Sequence, residues 1–324
     1  MLPPLLNIAP WRLLTPKNIT TRRLWGWGYS LQKILSLIEP QPIPGNDFII
    51  ASDYGGEHPA ATHLIYCYLV VGGGIDDWLR SIATIRADGL PNGRRMAYKR
   101  LSDPARQDAL GPFLEAAANL DAHLVAIAVD KQKKWLSLIP EEIDRFRNAN
   151  RLTANWSPRS LEGMIRKVQF PAILASIWSQ QHMNIRWITD QDEFVVNDRR
   201  HDDALASWAR FLGYYLDHPL GIVALNTTAQ DTSSRVFEDL CAIPDLAAGM
   251  LSDVSARLPR GGSWEAQQEK ELLDNLPMKA EILTDWFWDE TTRIRKTLIS
   301  IDVEGDKFAV RRVWKKSEAA TTAL

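Results

Sequence analysis

Four carboxylates stand where apolar runs close or a late helical stretch opens. Asp53 closes the run that begins Phe48-Ile49-Ile50-Ala51, and Asp130 closes Leu124-Val125-Ala126-Ile127-Ala128-Val129. Asp190 closes Ile185-Arg186-Trp187-Ile188-Thr189, and Asp245 opens Asp245-Leu246-Ala247-Ala248-Gly249-Met250-Leu251. Carboxylates at the C-terminal ends of neighbouring strands converge on one edge of a sheet, where α/β proteins place their ligands. Grouped carboxylates repel one another unless a hard cation sits among them. The pattern points to a divalent-metal site, and the reaction most often run at such a site is phosphoryl transfer on nucleic acid.

Each of these residues also has a plainer use. Asp53, followed by Gly55-Gly56, can face a cleft or cap its own turn. Asp245 can hold a metal or stabilise the positive end of a helix that starts beside Pro244. Asp190 competes with Asp192 and Glu193, and strand phase favours Asp190. Asp130-Lys131 also reads as an ordinary turn. His58, His201 and His218 stand near acidic residues, but no H-x-x-x-H spacing and no G-x-S-x-G elbow occurs, so zinc-hydrolase and serine-hydrolase chemistry is not indicated.

The elements that must position these groups follow from periodicity and punctuation. An N-terminal stretch rich in proline carries Arg22-Arg23-Leu24-Trp25-Gly26-Trp27-Gly28-Tyr29 and one helix over Leu31–Ile38. The alternating aromatics there could stack bases or pin the stretch to the main domain. Strands are predicted over 48–53 and His63–Val71 around a Gly-Gly turn, as a hairpin. A helix over Ile75–Ala87 follows Gly72-Gly73-Gly74; Asp76 and Asp77 at its start would repel phosphate, which leaves that glycine run a plain turn. A short strand over Met96–Lys99, a helix from Pro104 capped by Ser102 or Asp103, and a strand over His123–Val129 come next. Helical spacing covers 161–181, with Pro171 kinking or dividing it. Then come a strand over Asn184–Thr189, a helix over Asp202–Leu216, a strand over Leu220–Leu225, and a helical region over Val236–Val254 broken or restarted at Pro244. A charged helix, Glu265–Trp288, and a hairpin of Thr297–Val303 and Phe308–Trp314 complete the chain.

Length and composition suit a globular α/β protein. The chain has 324 residues, 45% of them hydrophobic and 24% charged, with a net charge of −2. That charge argues against bulk electrostatic binding of nucleic acid. Basic residues nevertheless gather at Arg94, Arg95, Lys99 and Arg100, and again at Arg293, Arg295, Lys296, Arg311, Arg312, Lys315 and Lys316. Either group could touch phosphate or form a solvated face. No apolar run approaches the roughly 18–20 residues of a membrane span. The N-terminus lacks the basic and cleavage features of a signal peptide, and Cys67 and Cys241 read as thiols of a reducing compartment, so a cytoplasmic protein is expected. Most of the 13 Trp are expected in the core.

The order of elements resembles the ribonuclease H-like fold, with one extra helix between the second and third strands. The motifs are similar to those of an uncharacterised bacterial family of RNase H-like proteins, which open on a strand ending Asp-Glu-Ser-Gly and close on a helix containing Ala-Asp-Leu with a small-residue tail. Here the opener reads Ser52-Asp53-Tyr54-Gly55-Gly56 and the closer Pro244-Asp245-Leu246-Ala247-Ala248-Gly249. Lys99 matches the family's lysine after the third strand. Asp130-Lys131 and Asp190-Gln191-Asp192-Glu193 match its later strand ends. Tyr54 replaces the family's second acid, with Glu57 near enough in the turn to substitute.

The resemblance implies an RNase H-like mixed sheet flanked by helices over 47–255, with extensions at 1–46 and 256–324. It implies a Mg²⁺- or Mn²⁺-dependent nuclease in which Asp53, Asp130, Asp190 and Asp245 are catalytic. Asp53, Asp190 and Asp245 would hold the metal, and Lys99 and Arg100 would meet the phosphate. With the usual strand order of that fold, Asp130 would neighbour Asp53. A catalytically inactive subunit that binds nucleic acid or a partner protein is the alternative, and a phosphohydrolase of small nucleotides is a third. A protein partner or a homo-oligomer is compatible with either of the first two; a membrane is not expected.

Overall fold

A computed structural model of the protein describes residues 26–38, 43–90, 94–231, 235–259, 264, 276–305 and 307–314. Arg22, Arg23 and Trp25, the first part of the charged helix (265–275), and Lys315 and Lys316 lie outside the described residues.

Eight helices and seven strands alternate among the described residues. In chain order they are α1 (Gly26–Ser36), β1 (Asp47–Gly55), β2 (His63–Gly73), α2 (Ile75–Gly89), α3 (Pro104–Ala117), β3 (Asp121–Asp130), α4 (Ile143–Asn150) and α5 (Pro158–Trp178). Then follow β4 (Asn184–Thr189), α6 (Asp198–Tyr215), β5 (Val223–Thr227), α7 (Val236–Ser255), α8 (Met278–Trp288), β6 (Arg295–Glu304) and β7 (Lys307–Val313). The strands form one sheet in the order β5-β4-β1-β2-β3-β6-β7. β1, β4 and β5 run parallel to one another, β6 is parallel to β3, and β7 is antiparallel to β6. The connection from β1 to β2, residues 56–62, is too short for a parallel crossover, so those neighbours form a hairpin. A hairpin beside a parallel run in the order 5-4-1-2-3 is the RNase H-like arrangement; β6 and β7 widen it. No helix among the described residues is long and apolar enough to cross a membrane.

Three expectations need correction. Met96–Lys99 is not a strand: Tyr98–Arg100 forms a single 3₁₀ turn, and the third strand is β3. The neighbour of β1 is therefore β4, which ends before Asp190, while Asp130 lies on β3, two strands away. Pro171 does not divide α5, and Pro244 does not break α7. An interior proline costs a helix about 3 kcal/mol. In α7 the buried side chains of Phe237, Leu240, Ile243, Leu246, Met250 and Leu251 outweigh that, at roughly 1.5–3 kcal/mol each. Asp245 is thus the tenth of twenty helical residues rather than part of a first turn.

The described residues form two compact units. One lies within Met1–Ser52, Tyr68–Asp76 and Lys134–Cys241. Its interior is pinned by polar contacts as well as apolar ones. Trp27 is buried, donates its indole N–H to Leu136 O at 3.1 Å, and meets Phe170 edge-to-face. Glu162, buried beside Arg166 at 2.8 Å, accepts the backbone N–H groups of Leu136, Ser137 and Leu138. Asp203 does the same for Thr153 and Ala154 and also accepts from the Trp156 indole. Trp27 therefore serves the core; Tyr29, two residues on, is exposed.

The second unit takes Asp53–Cys67, Asp77–Lys133 and Ala242–Leu324. Asp103 caps α3 by accepting from Ala105 N at 3.0 Å, with Pro104 in the first turn. The β6–β7 hairpin turns at Gly305, whose φ of +57° suits glycine. Cys67 and Cys241 are both buried free thiols.

Candidate functional site

The end of β1 and the middle of α7 approach so closely that no side chain fits between them. A Cβ on Gly55 would lie 2.7 Å from the carbonyl oxygen of Ala248. Asp53 is two residues before Gly55 and so shares its strand face. Asp245 is three residues before Ala248 and so shares its helix face. The contact therefore sets the two residues on the sides of strand and helix that meet there. Cys67 on β2 records both: burial pushes its thiol well up, and the charges of Asp53 and Asp245 push it further. Asp53 and Asp245 are each half-buried.

Neighbouring groups hold these carboxylates in place. Asp53 Oδ1 accepts the backbone N–H of Tyr54 at 2.6 Å, and the Tyr54 ring packs edge-on against Tyr66. Asp245 Oδ2 accepts the backbone N–H of Tyr98 at 2.6 Å. Tyr98 is itself fixed on several sides. Its hydroxyl donates to Asp253 Oδ2 at 2.5 Å, one face of its ring meets Lys279 Nζ 4.0 Å from the centroid, and its ring fills the space above Gly249. Burial and the bond to Asp253 push the phenol far up, so it stays protonated. The sequence reading missed Tyr98, Asp253 and Lys279. The available signal was an aromatic beside Lys99 that needed a glycine to receive it.

Lys99 and Arg100 project into solvent from the 3₁₀ turn that Tyr98 anchors. Asp245 and the two basic residues are thereby tied through one backbone N–H.

Asp190 belongs to the first unit. Ser52 pairs with Thr189 across β1 and β4, and β4 ends there, one residue before Asp190. Asp190 Oδ1 accepts from Gln191 N at 2.9 Å and from the Thr228 hydroxyl at 2.5 Å. Asp192, its rival in sequence, pairs with Lys167. Asp130 is buried at the end of β3; its carboxylate accepts from Gln132 N at 2.8 Å and Val303 N at 3.4 Å, which is turn capping toward β6. Glu57 is exposed in the turn, where its charge acts on Lys131. Among the histidines singled out in the sequence, His58 faces Ser252, His201 faces Leu225 O, and His218 pairs with Asp217.

Among the described residues, no group of three or more His, Cys, Asp or Glu side chains is placed to hold a metal ion. No known protein family matches the chain, and no curated protein does.

Proposed function

We propose that the protein is a metal-dependent nuclease that hydrolyses phosphodiester bonds of DNA or RNA, with Asp53 and Asp245 at the heart of its site. The observation that carries the reading is the close Gly55–Ala248 approach, with two half-buried carboxylates on the meeting elements whose charges both act on Cys67. The resemblance of the opening and closing motifs to RNase H-like proteins supports it.

The donors suit a hard cation. Carboxylate oxygens are what Mg²⁺ or Mn²⁺ prefers, and the Cys67 thiol, on which both carboxylates act, is held protonated and out of competition. Mg²⁺ is commonly held by one or two carboxylates, with water and substrate phosphate completing the shell, so a closed cage of three protein ligands is not required. Asp53 and Asp245 would hold the ion. When bound, the ion would activate water and offset the charge of the leaving oxygen. Lys99 and Arg100 would meet the phosphate as point charge and fork, respectively. Two buried free thiols favour a reducing compartment, and we place the protein in the cytoplasm on that ground.

A second reading, an inactive subunit that binds nucleic acid or a partner protein, draws on one observation. Tyr54 stands where the resembling family has an acid, and its N–H occupies Asp53 Oδ1. Labelled DNA, RNA and hybrid strands incubated with Mg²⁺, Mn²⁺ or EDTA separate the two. The nuclease reading expects cleavage that needs metal and is lost in Asp53→Asn. Cleavage in EDTA, or cleavage unchanged by that substitution, contradicts it. Binding without cleavage selects the inactive subunit.

A further inference from the structure

Residues 293–316 hold eight Lys or Arg against three Asp or Glu, in a chain whose net charge is −2. The β6–β7 register sorts these charges by face. Val303, Ile301 and Ile299 pair with Phe308, Val310 and Arg312, while Glu304, Asp302 and Ser300 pair with Lys307, Ala309 and Arg311. Alternation puts each set on its own side of the sheet. Both β6 carboxylates therefore fall on the second side, where Arg311 forms ion pairs with Asp302 and Glu304. The first side carries Arg295 and Arg312 and no carboxylate from either strand.

Aromatic rings interleave with that charge. Lys133 Nζ stands 5.6 Å from the Phe308 ring centroid, and the Arg312 guanidinium 3.6 Å from that of Trp314. Trp314 is 61% exposed, too open for a core residue. β7 is the edge strand, and on this side Phe308, Val310 and Arg312 are each partly exposed. Beneath it, His123 bonds Thr297 at 2.8 Å; burial, then Arg295 and Arg312, lower its pKa to about 3. The ring is neutral there and reports the positive potential. The exposed Glu290 is the acid that acts on Arg312.

We propose that this side of β7 binds single-stranded nucleic acid, with Phe308 and Trp314 stacking bases and Lys133, Arg295 and Arg312 neutralising phosphates. Rings offer a sequence-tolerant platform to unpaired bases, and clustered cations supply the salt-dependent part of the affinity. An edge strand also invites a second protein strand. The same-sign charge disfavours a second copy of this chain, since β7 would bring its own cations to the pair. The surface stands whether or not the carboxylate site cuts.

Fluorescence anisotropy of labelled oligothymidylate and oligouridylate in EDTA tests this without engaging the metal. Wild type should bind, and more weakly as salt rises. Trp314→Ala, an exposed change that leaves the fold intact by circular dichroism, should weaken binding about tenfold. Arg312→Glu should weaken it and flatten the salt dependence by about one unit of slope. Lys33→Glu, the same kind of charge change at an exposed position of α1, should bind like wild type, which ties the loss to this surface. Wild-type affinity in both β7 variants would overturn the proposal, as would equal affinity for duplex. A wild-type dimer in sedimentation that dissociates in Arg312→Glu would overturn it too, by giving the strip to a second copy.

Discussion

The Tyr98 ring occupies the space that a side chain on Gly249 would need: a Cβ there would lie 2.2 Å from the ring's Cγ and Cδ1. Tyr98 also delivers its N–H to Asp245 and carries Lys99 and Arg100 behind it, so a single glycine on α7 governs how basic residues reach a carboxylate. The small-residue tail of the closing motif has a physical cause in these contacts. Ala248 lets β1 pass at Gly55, and Gly249 admits the ring.

Gly249→Ala should therefore destabilise the protein by overpacking, on the order of 1–3 kcal/mol, beyond any helix propensity it gains. Adding Tyr98→Ala should return part of that loss, because the clash goes with the ring. Urea denaturation of the two single variants and the double variant measures the coupling. Additive losses would mean the ring and the helix do not compete for the same space.

Cys67 is buried, and its thiol is pushed up by burial first and by Asp53 and Asp245 after it. A protonated, enclosed thiol is a poor nucleophile. Labelling by a thiol reagent at neutral pH, in a Cys241→Ala background, should wait for global unfolding and speed up with denaturant. Rapid labelling of native protein would show that the thiol is reachable in the folded state.

His123 gives a pH dependence with a definite sign. Its folded pKa is lowered from 6.5 to about 3, by burial first and then by Arg295 and Arg312. Above pH 6.5 both folded and unfolded states hold it neutral and nothing is lost. As pH falls from there toward 3 only the unfolded state takes up the proton, so stability drops by up to ~1.4 kcal/mol per pH unit from this group. His123→Gln, which can keep a bond to Thr297, should show a shallower acid slope than wild type between pH 6 and 4. Parallel slopes would place the imidazole in contact with solvent.

Local pattern was legible where packing and propensity agree. The bounds of β4 read from the sequence as they stand in the structure, because Ile185, Trp187, Ile188 and Thr189 are apolar or β-branched and polar residues flank the run. The hairpin at Gly305 was legible for the same reason. The 3₁₀ turn at Tyr98 was not: Met96-Ala97-Tyr98 has strand-like composition, but its burial comes from docking on α7 rather than from a sheet. Pro244 misled because its local cost is visible in sequence and the burial that offsets it is not. The same limit applied to the site. Asp53 stood out as closing an apolar run and Asp245 as opening the helical stretch of the closing motif, whereas the groups that hold Asp245, from Tyr98 to Lys279, are joined only by the fold.

Calorimetric titration with Mn²⁺ puts the central claim to its most direct test. Wild-type protein should bind the ion stoichiometrically, and Asp53→Asn and Asp245→Asn should each lose that binding while keeping the wild-type circular dichroism spectrum. Wild-type protein that takes up no Mn²⁺, or binding that both variants retain, would contradict the assignment of these two carboxylates to a metal site.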